Sequence, residues 1–488
     1  MKFRKSLENS VPITALVFFV IFLLKSAVFA EGGVNGGDFL WHIEYGNYML
    51  ERQALPTSDW LTWTSSGQPY QITQWLGELL IAAAFSAGGY QATALIVATN
   101  VCITFFFSWK TASVYLKNQM TSLLLALFAT QQVIVLNARP QMFGIAAFAA
   151  LVWVLAVWFE HQKKWALVAM SVIMIAWVNL HGSFIVGLIY IAALGGGAWL
   201  GTFAAMKGRF VDSITVHQWL AVASFGAIFA VLINPYGWHA FEYVFKISQL
   251  ESTRMSIIAE WVPTSIATAN GQMFFFVLLA TVVSIALAKE RPNLQFMLGF
   301  IGTVYFGLAA DRQTFFASIA MVPFLARSFK GSALDDFLNK SMSTVTSPIP
   351  ALVVVVSGIV LSCSIHFIAQ DFIKSKVVEL YPVGAINFIR SSNIEGKIFN
   401  NIDIGGYIES QGMKPFIDGR LDLFGDEMTF GTFAAIRGEP GWEKFLEKYH
   451  PNIFLLKHKH QLKELLLLKG GYSLIYQDNY YCVIRLNK

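Results

Sequence analysis

Asp38 and His42 stand four residues apart in the stretch GGDFLWHI, residues 36–43. On a helix that spacing puts both side chains on one face. A carboxylate beside an imidazole is equipment for moving a proton. Group transfer to a hydroxyl needs it, because the hydroxyl proton leaves as the new bond forms, and a positioned base contributes about 10²–10⁴-fold. In this reading Asp38 is the general base, and His42 orients it or touches a substrate phosphate. The other reading is structural: an Asp after two glycines is a good helix N-cap. The sequence leaves both open. Asp59, further along the same loop, is the next acid that is able to act as a partner.

Other polar residues interrupt a chain that is otherwise apolar. Arg139 in NARPQ and Arg312 in ADRQ each join two closely spaced apolar runs. An Arg there suits a phosphate, which its guanidinium grips in a two-pronged fork; anchoring at a lipid interface is the alternative. His181 sits in the tight turn of NLHGS, where backbone bonding would also satisfy it. Tyr236 belongs to NPYGW, strong turn chemistry, with His239 and Glu242 nearby, and Glu260 belongs to AEWVP. Arg420 lies in FIDGRLDLFGDE, among Asp418, Asp422, Asp426 and Glu427. That segment reads as a salt-bridged structural loop or as a rim that touches an acceptor. Asp38, His42, His181 and Glu260 together are a conceivable divalent-metal set, but no tight ligand spacing supports it. The expectation is that no cofactor is required. No Gly-rich phosphate loop, HExxH or nucleic-acid motif is present.

What must position these groups is a membrane. Of the 488 residues, 55% are apolar and 13% charged, about half the charge of a soluble protein. A spanning helix takes about 20 apolar residues. Runs of that kind fall at 11–30, 88–109, 120–137, 141–159, 165–180, 183–206, 218–234, 272–288, 293–309, 312–328 and 350–369, eleven expected spans. The segment 73–87, which carries Glu78, reads as a helix at the interface or the start of a longer second span. The first run, after MKFRK, reads as an uncleaved anchor, with Lys25 snorkelling to the interface. Three cysteines imply no disulfide framework.

With the N-terminus inside, one set of alternate loops holds fourteen Lys and Arg and the other set five. That bias orients the chain, N-terminus cytoplasmic. The poor set is then the outer one, and it holds Asp38, Arg139, His181, Tyr236, Glu260 and Arg312. All the unusual polar clusters fall on one face, while the spans are nearly free of charge. A transporter would place polar groups along a path through the membrane; the asymmetry favours chemistry at one surface. The expected division is a transmembrane domain over 1–370, with a first outer loop at 31–87, and a small outer α/β domain over 375–488. In that tail GKIFNN, KPFID, PNIFLLK, YSLIYQ and YYCVIRL read as strands, and AINFIRSS, GGYIESQ, GWEKFLEKY and HQLKELLLL as helices.

The opening GGDFLWHIEYGNYMLERQALPTSDWLTWTSSGQPYQITQWLGELL resembles that of a broad group of bacterial membrane proteins. In these an Asp and a Trp-His pair precede a Gly, then Pro, Asp, Thr and Gly, then Trp-x-x-Glu. NARPQMF, WVNLHGSF, NPYGW, AEWVP and the tail IFNNIDIGGYIESQGMKPFIDGRLDLFGDE fit the same group, so the resemblance covers nearly the whole chain. The group resembles a branch of the GT-C superfamily of integral-membrane glycosyltransferases, relatives of protein O-mannosyltransferases and aminoarabinose transferases. The resemblance implies a GT-C-like membrane domain. It also implies inverting transfer of a sugar from a polyprenyl-phosphate carrier to a protein, lipid or glycan acceptor at the outer face of a bacterial inner membrane. Asp38 matches the catalytic acid of the first loop by position. The adjacent second acid of DxD or DE is missing, since Phe39 follows, which weakens a metal-dependent reading. Flipping of lipid-linked glycans, or a non-catalytic scaffold for glycan assembly, are the alternatives.

Overall fold

The computed structural model describes residues 20–21, 37–206, 210–251, 259–290, 292–333, 335–337 and 379–487. The expected span 350–369, all of the expected span 11–30 except residues 20–21, and Lys25, Arg254 and Cys363 lie outside them.

Among the described residues four helices are long and apolar enough to cross a membrane: Trp75–Tyr115, Gln141–His161, Phe184–Ala205 and Ala269–Ala286. Shorter apolar stretches at Gln119–Ala129, Lys164–Leu180, His217–Val231 and Leu294–Ala309 run among them. Gln141–His161 is apolar on every side and is wrapped by Trp75–Tyr115, Lys164–Leu180 and Thr314–Phe329, as an all-round apolar helix must be. The structure takes one of the two readings left open for 73–87 and departs from the sequence reading at 120–137. Residues 73–87 and the second expected span form one helix, Trp75–Tyr115, bent at Gly88 and Gly89, where Gly89 takes φ +58°. The run 120–137 is a helix only to Ala129 and then tightens into a 3₁₀ turn at Gln131–Val135.

The chain ends in a four-stranded sheet of order β1-β2-β4-β3, with β1 at Ile398–Asn400, β2 at Ile453–Lys457, β3 at Tyr472–Gln477 and β4 at Tyr481–Leu486. β1 and β2 are parallel; β4 pairs antiparallel with both its neighbours. Alternation along β2 sends Phe454 and Leu456 to one core, with Phe416, Leu462 and Leu466, and Ile453 and Leu455 to another, with Ile386, Ile389 and Ile408.

KPFID, expected as a strand, joins no ladder. Asn400 at the end of β1 accounts for it: its Oδ1 accepts from Phe416 N at 2.7 Å and its Nδ2 donates to Ile417 O at 2.8 Å. One side chain thus takes the bonds a neighbouring strand would have taken. LDLFGDE, the second part of the segment expected as a loop or rim, is the start of the helix Leu421–Arg437, which passes through Gly425 at φ +71°.

This unit meets the beginning of the chain. The helix Gly405–Ser410 packs against the helix Asp38–Arg52. A Cβ on Gly37 would overlap the Asp403 carbonyl, and a Cβ on Gly406 would overlap the Gly37 carbonyl. The glycine before Asp38 therefore serves close approach. Asp38 is the first helical residue and caps nothing; Gly37 holds the cap position without a side chain.

Candidate active site

A cavity of about 940 Å³ opens where the helix Asp38–Arg52, the polar turns between spans and the C-terminal unit converge. It gathers Asp38, His42, Arg139, His181, Glu260, Arg312 and Arg420, seven of the nine residues singled out in the sequence. Asp59 and Tyr236 do not line it.

Asp38, at the helix N-terminus where a negative charge is favoured, holds the centre. Its Oδ2 pairs with Arg139 Nη2 at 3.2 Å, and Trp41 Nε1 donates to its Oδ1 at 3.3 Å. Arg139 Nη1 reaches Glu260 Oε1 at 2.5 Å. The result is a chain of carboxylate, guanidinium and carboxylate, in which Asp38 and then Glu260 hold the Arg139 pKa above its usual value against the pull of burial. Pro140, directly after Arg139, starts the helix Gln141–His161 and fixes where the Arg leaves the turn. On the other side Asp38 rests against the backbone of Gly419, where a Cβ would overlap Oδ1. Gly419→Ala is expected to leave the chain folded and to lower turnover about 10²-fold by displacing the carboxylate, read from activity beside an unfolding scan.

Arg312 has no carboxylate within salt-bridge distance among the described residues. Its guanidinium lies 4.5 Å from the centre of the Trp261 ring. Asp311 accepts from Thr268 Oγ1 at 3.2 Å and from Asn270 Nδ2 at 3.1 Å, which pins the turn that presents Arg312. Burial lowers the Arg312 pKa, opposed by Glu260, yet a guanidinium keeps its proton. The cavity therefore contains a positive charge with an aromatic backing and open valence for an anion.

His42 is bonded to Glu78 and not to Asp38: its Nδ1 lies 3.0 Å from Glu78 Oε1. Burial lowers its pKa although Glu78 pulls the other way, so the ring is neutral near pH 7. His181 is neutral too, pushed down to about 3 by burial and by Arg312. Its Nδ1 accepts from Ser183 N at 3.0 Å.

Asp59 and Arg420 face each other in the interior. Arg420 Nη1 meets Asp59 Oδ1 at 2.7 Å and also Tyr45 Oη, while its Nε meets Asp418 Oδ1 at 2.9 Å. Asp59 accepts further from Leu61 N, Thr62 N and Thr62 Oγ1. Both side chains are 0% exposed. Buried charges survive by pairing, and here the pairing consumes the groups expected to meet substrate. The same holds for Tyr236, whose hydroxyl accepts from Ile72 N at 3.2 Å. His239 and Glu242 are exposed and bonded to each other. Asp38 and Glu260 meet on Arg139 and His42 turns to Glu78, so the four residues weighed as metal ligands do not assemble; among the described residues no group of three His, Cys, Asp or Glu is placed to hold an ion.

The wall from the C-terminal unit adds Lys457, which the sequence did not single out, and Asp422, which it named only within the segment read as loop or rim. Asp422 lines the cavity, and burial pushes its carboxyl up to about 6. Lys246 Nζ donates to the Asp422 carbonyl at 3.1 Å. Lys457 stands at the end of β2 with Asp403 at 3.5 Å. Nothing in the sequence separates Asp422 from its acidic neighbours. Glu78 did carry a signal, as a charge inside an apolar run. Ile185, Val186, Ile189, Phe245 and Phe306 make the remaining wall apolar.

No protein-family model matches the sequence, and no curated protein matches it significantly. Solved structures do share its fold. The archaeal oligosaccharyltransferase AglB from Archaeoglobus fulgidus, in complex with an inhibitory peptide and a dolichol-phosphate, superposes with a TM-score of 0.56 at 12% identity, over 91% of this chain and 69% of that one. ArnT from Cupriavidus metallidurans in the apo state gives 0.55 at 12% identity over 97% of both chains. The same protein bound to undecaprenyl phosphate gives 0.51 at 13% identity over 97% of both. At these identities the likeness is one of fold.

Proposed function

We propose that this chain, a membrane protein of GT-C-like fold, transfers a sugar from a polyprenyl-phosphate carrier to an acceptor, with inversion, in the cavity around Asp38. The observation that carries this reading is the composition of that one cavity. It joins a carboxylate held by Arg139, a guanidinium without a carboxylate partner among the described residues and an apolar wall. A lipid phosphate needs the second and third; the transfer needs the first.

The reaction breaks the bond between the anomeric carbon and the phosphate oxygen, and that electron pair leaves with the polyprenyl phosphate. Arg312 takes the phosphate's charge. The acceptor oxygen attacks the opposite face of the sugar, and its proton passes to Asp38. Arg139, itself held by Glu260, aims Asp38. Asp59 and Arg420 act from behind, tying the first loop to the C-terminal unit. Asp403, Asp422 and Lys457 form the side on which the acceptor enters. On this reading the cavity lies at the outer face of a bacterial inner membrane, with residues 375–488 as a periplasmic domain beside the membrane domain 1–370. Polyprenyl phosphates are also what the solved structures of AglB and ArnT hold, as dolichol-phosphate and undecaprenyl phosphate.

Arg312→Met tests the phosphate assignment. Affinity for polyprenyl phosphate, measured by titration in detergent, is expected to fall roughly tenfold to hundredfold, the weight of a charge-assisted hydrogen bond. Unchanged affinity would remove Arg312 from the carrier site.

A further inference from the structure

One polar pair at the cavity has no part in the reaction as drawn. Glu78 is fully buried, near the start of the helix Trp75–Tyr115. Its Oε1 faces Gln74 Nε2 at 3.1 Å and His42 Nδ1 at 3.0 Å, and its Oε2 has no partner among the described residues. A buried carboxyl with an empty oxygen costs stability unless its position is needed. His42 and Gln74 line the cavity; Glu78 stands behind them. The imidazole lies on the Trp41 ring, centroids 3.6 Å apart, so the ring is clamped from one face and from one edge.

That clamp decides which nitrogen carries the hydrogen. Oε1 already accepts from Gln74 Nε2, and an ionised Glu78 has no hydrogen to give, so Nδ1 is the donor. In a neutral ring Nε2 is then a bare acceptor. Nε2 has no hydrogen-bond partner among the described residues. A bare nitrogen repels phosphate oxygen and asks for an O–H.

We propose that His42, set by Glu78 as a fixed hydrogen-bond acceptor, is a subsite for a hydroxyl of the transferred sugar. This rests on the sugar-transfer reading and adds a selection rule to it: the donor sugar carries a free hydroxyl beside its reacting carbon. Such a bond tightens as charge develops at the anomeric centre, so it counts toward turnover more than toward binding. His42 touches substrate; Glu78 is a positioning residue.

The first test needs no turnover. Nitrogen-15 spectra of the nine histidines, with His42→Asn as the assignment control, report which His42 nitrogen carries the hydrogen. The expected form is Nδ1–H in the wild type and a mixture in Glu78→Leu, where no acceptor remains. Nε2–H in the wild type would overturn the proposal whatever the enzyme does. The second test is kinetic. Glu78→Leu should lower kcat about 10- to 100-fold with KM within threefold or so. It should slow hydrolysis of the carrier-linked sugar by water as much as transfer to the acceptor. Loss of transfer with hydrolysis intact would mean that His42 reads an acceptor hydroxyl, and would overturn the donor assignment.

Glu78→Gln keeps the shape and removes the charge. The charges that bear on His42 are Glu78, which raises its pKa, and Arg139 and Arg420, which lower it; His181 faces it as a neutral ring. Without Glu78's charge the imidazole protonates at lower pH, so the acid limb of kcat should move down. A carboxyl that only fills space would leave that limb where it is. Wild type active with kcat and limb unmoved in both variants would sink this proposal alone; wild type inactive on every carrier-linked sugar would take the transfer reading with it.

Discussion

Asp38→Asn is expected to lower turnover by about 10²–10⁴-fold, the range a positioned base contributes. The amide keeps the shape and can still accept from Trp41 Nε1, which donates to Oδ1 at 3.3 Å. It cannot take a proton, and it leaves Arg139 paired with Glu260 alone. Carrier binding should change little, because Arg312 stands on a different turn, so the loss should appear in kcat. Equal turnover with both residues would reduce Asp38 to a partner of Arg139.

Arg420→Met is expected to cost about 3–5 kcal/mol of stability, the usual consequence of stripping one member from a buried charge cluster. Arg420 is the cation for Asp59 and Asp418, with Glu409 at 3.6 Å. Burial and the Asp418 charge hold the Glu409 pKa well above the usual carboxyl range. Removal of the guanidinium leaves the Asp59 and Asp418 carboxyls buried without the cation they share. Arg420→Lys should recover little, since a point charge cannot reach Asp59, Tyr45 and Asp418 together. The measurement is the unfolding midpoint in detergent as a function of pH. Burial works to raise the Asp59 pKa, but Arg420 and the bonds from Thr62 outweigh it and hold it below the ordinary value. The stability Asp59 contributes is therefore complete above the ordinary carboxylate range and is lost as the pH falls below it. The wild type should lose stability in acid over that window more steeply than Arg420→Met. A variant within 1 kcal/mol or so of the wild type would show that the cluster does not hold the C-terminal unit in place.

The membrane helices were legible because the signal is local: a run of apolar residues declares itself within one window. Arg139 and Arg312 were legible because cations are scarce in that set of loops, and each proved to border the cavity. The pairings were not legible. Asp38 and His42 suggest each other by spacing, yet their partners, Arg139 and Glu78, are far along the chain. Asp59 and Arg420 look like free polar groups in sequence, and only the docking of the tail on the first loop shows that they use each other. KPFID has strand composition, but a single amide, Asn400, took over its backbone. Asp422 became a cavity residue through the bent helix Leu421–Arg437, which glycine and acidic residues disguised as loop. Spacing along one element was readable; convergence of several elements was not.

The most direct test of the central claim is whether the carrier bond breaks. Purified wild type in detergent would be given a panel of labelled polyprenyl-phosphate sugars, with a cell-envelope extract as source of acceptor. Label remaining on the carrier and free polyprenyl phosphate would both be followed. The account predicts that label leaves at least one carrier, that polyprenyl phosphate accumulates in step, and that neither happens with Asp38→Asn. Tight binding of the carrier-linked sugars with every bond intact would contradict it, and would make the cavity a chamber for flipping or assembling glycans.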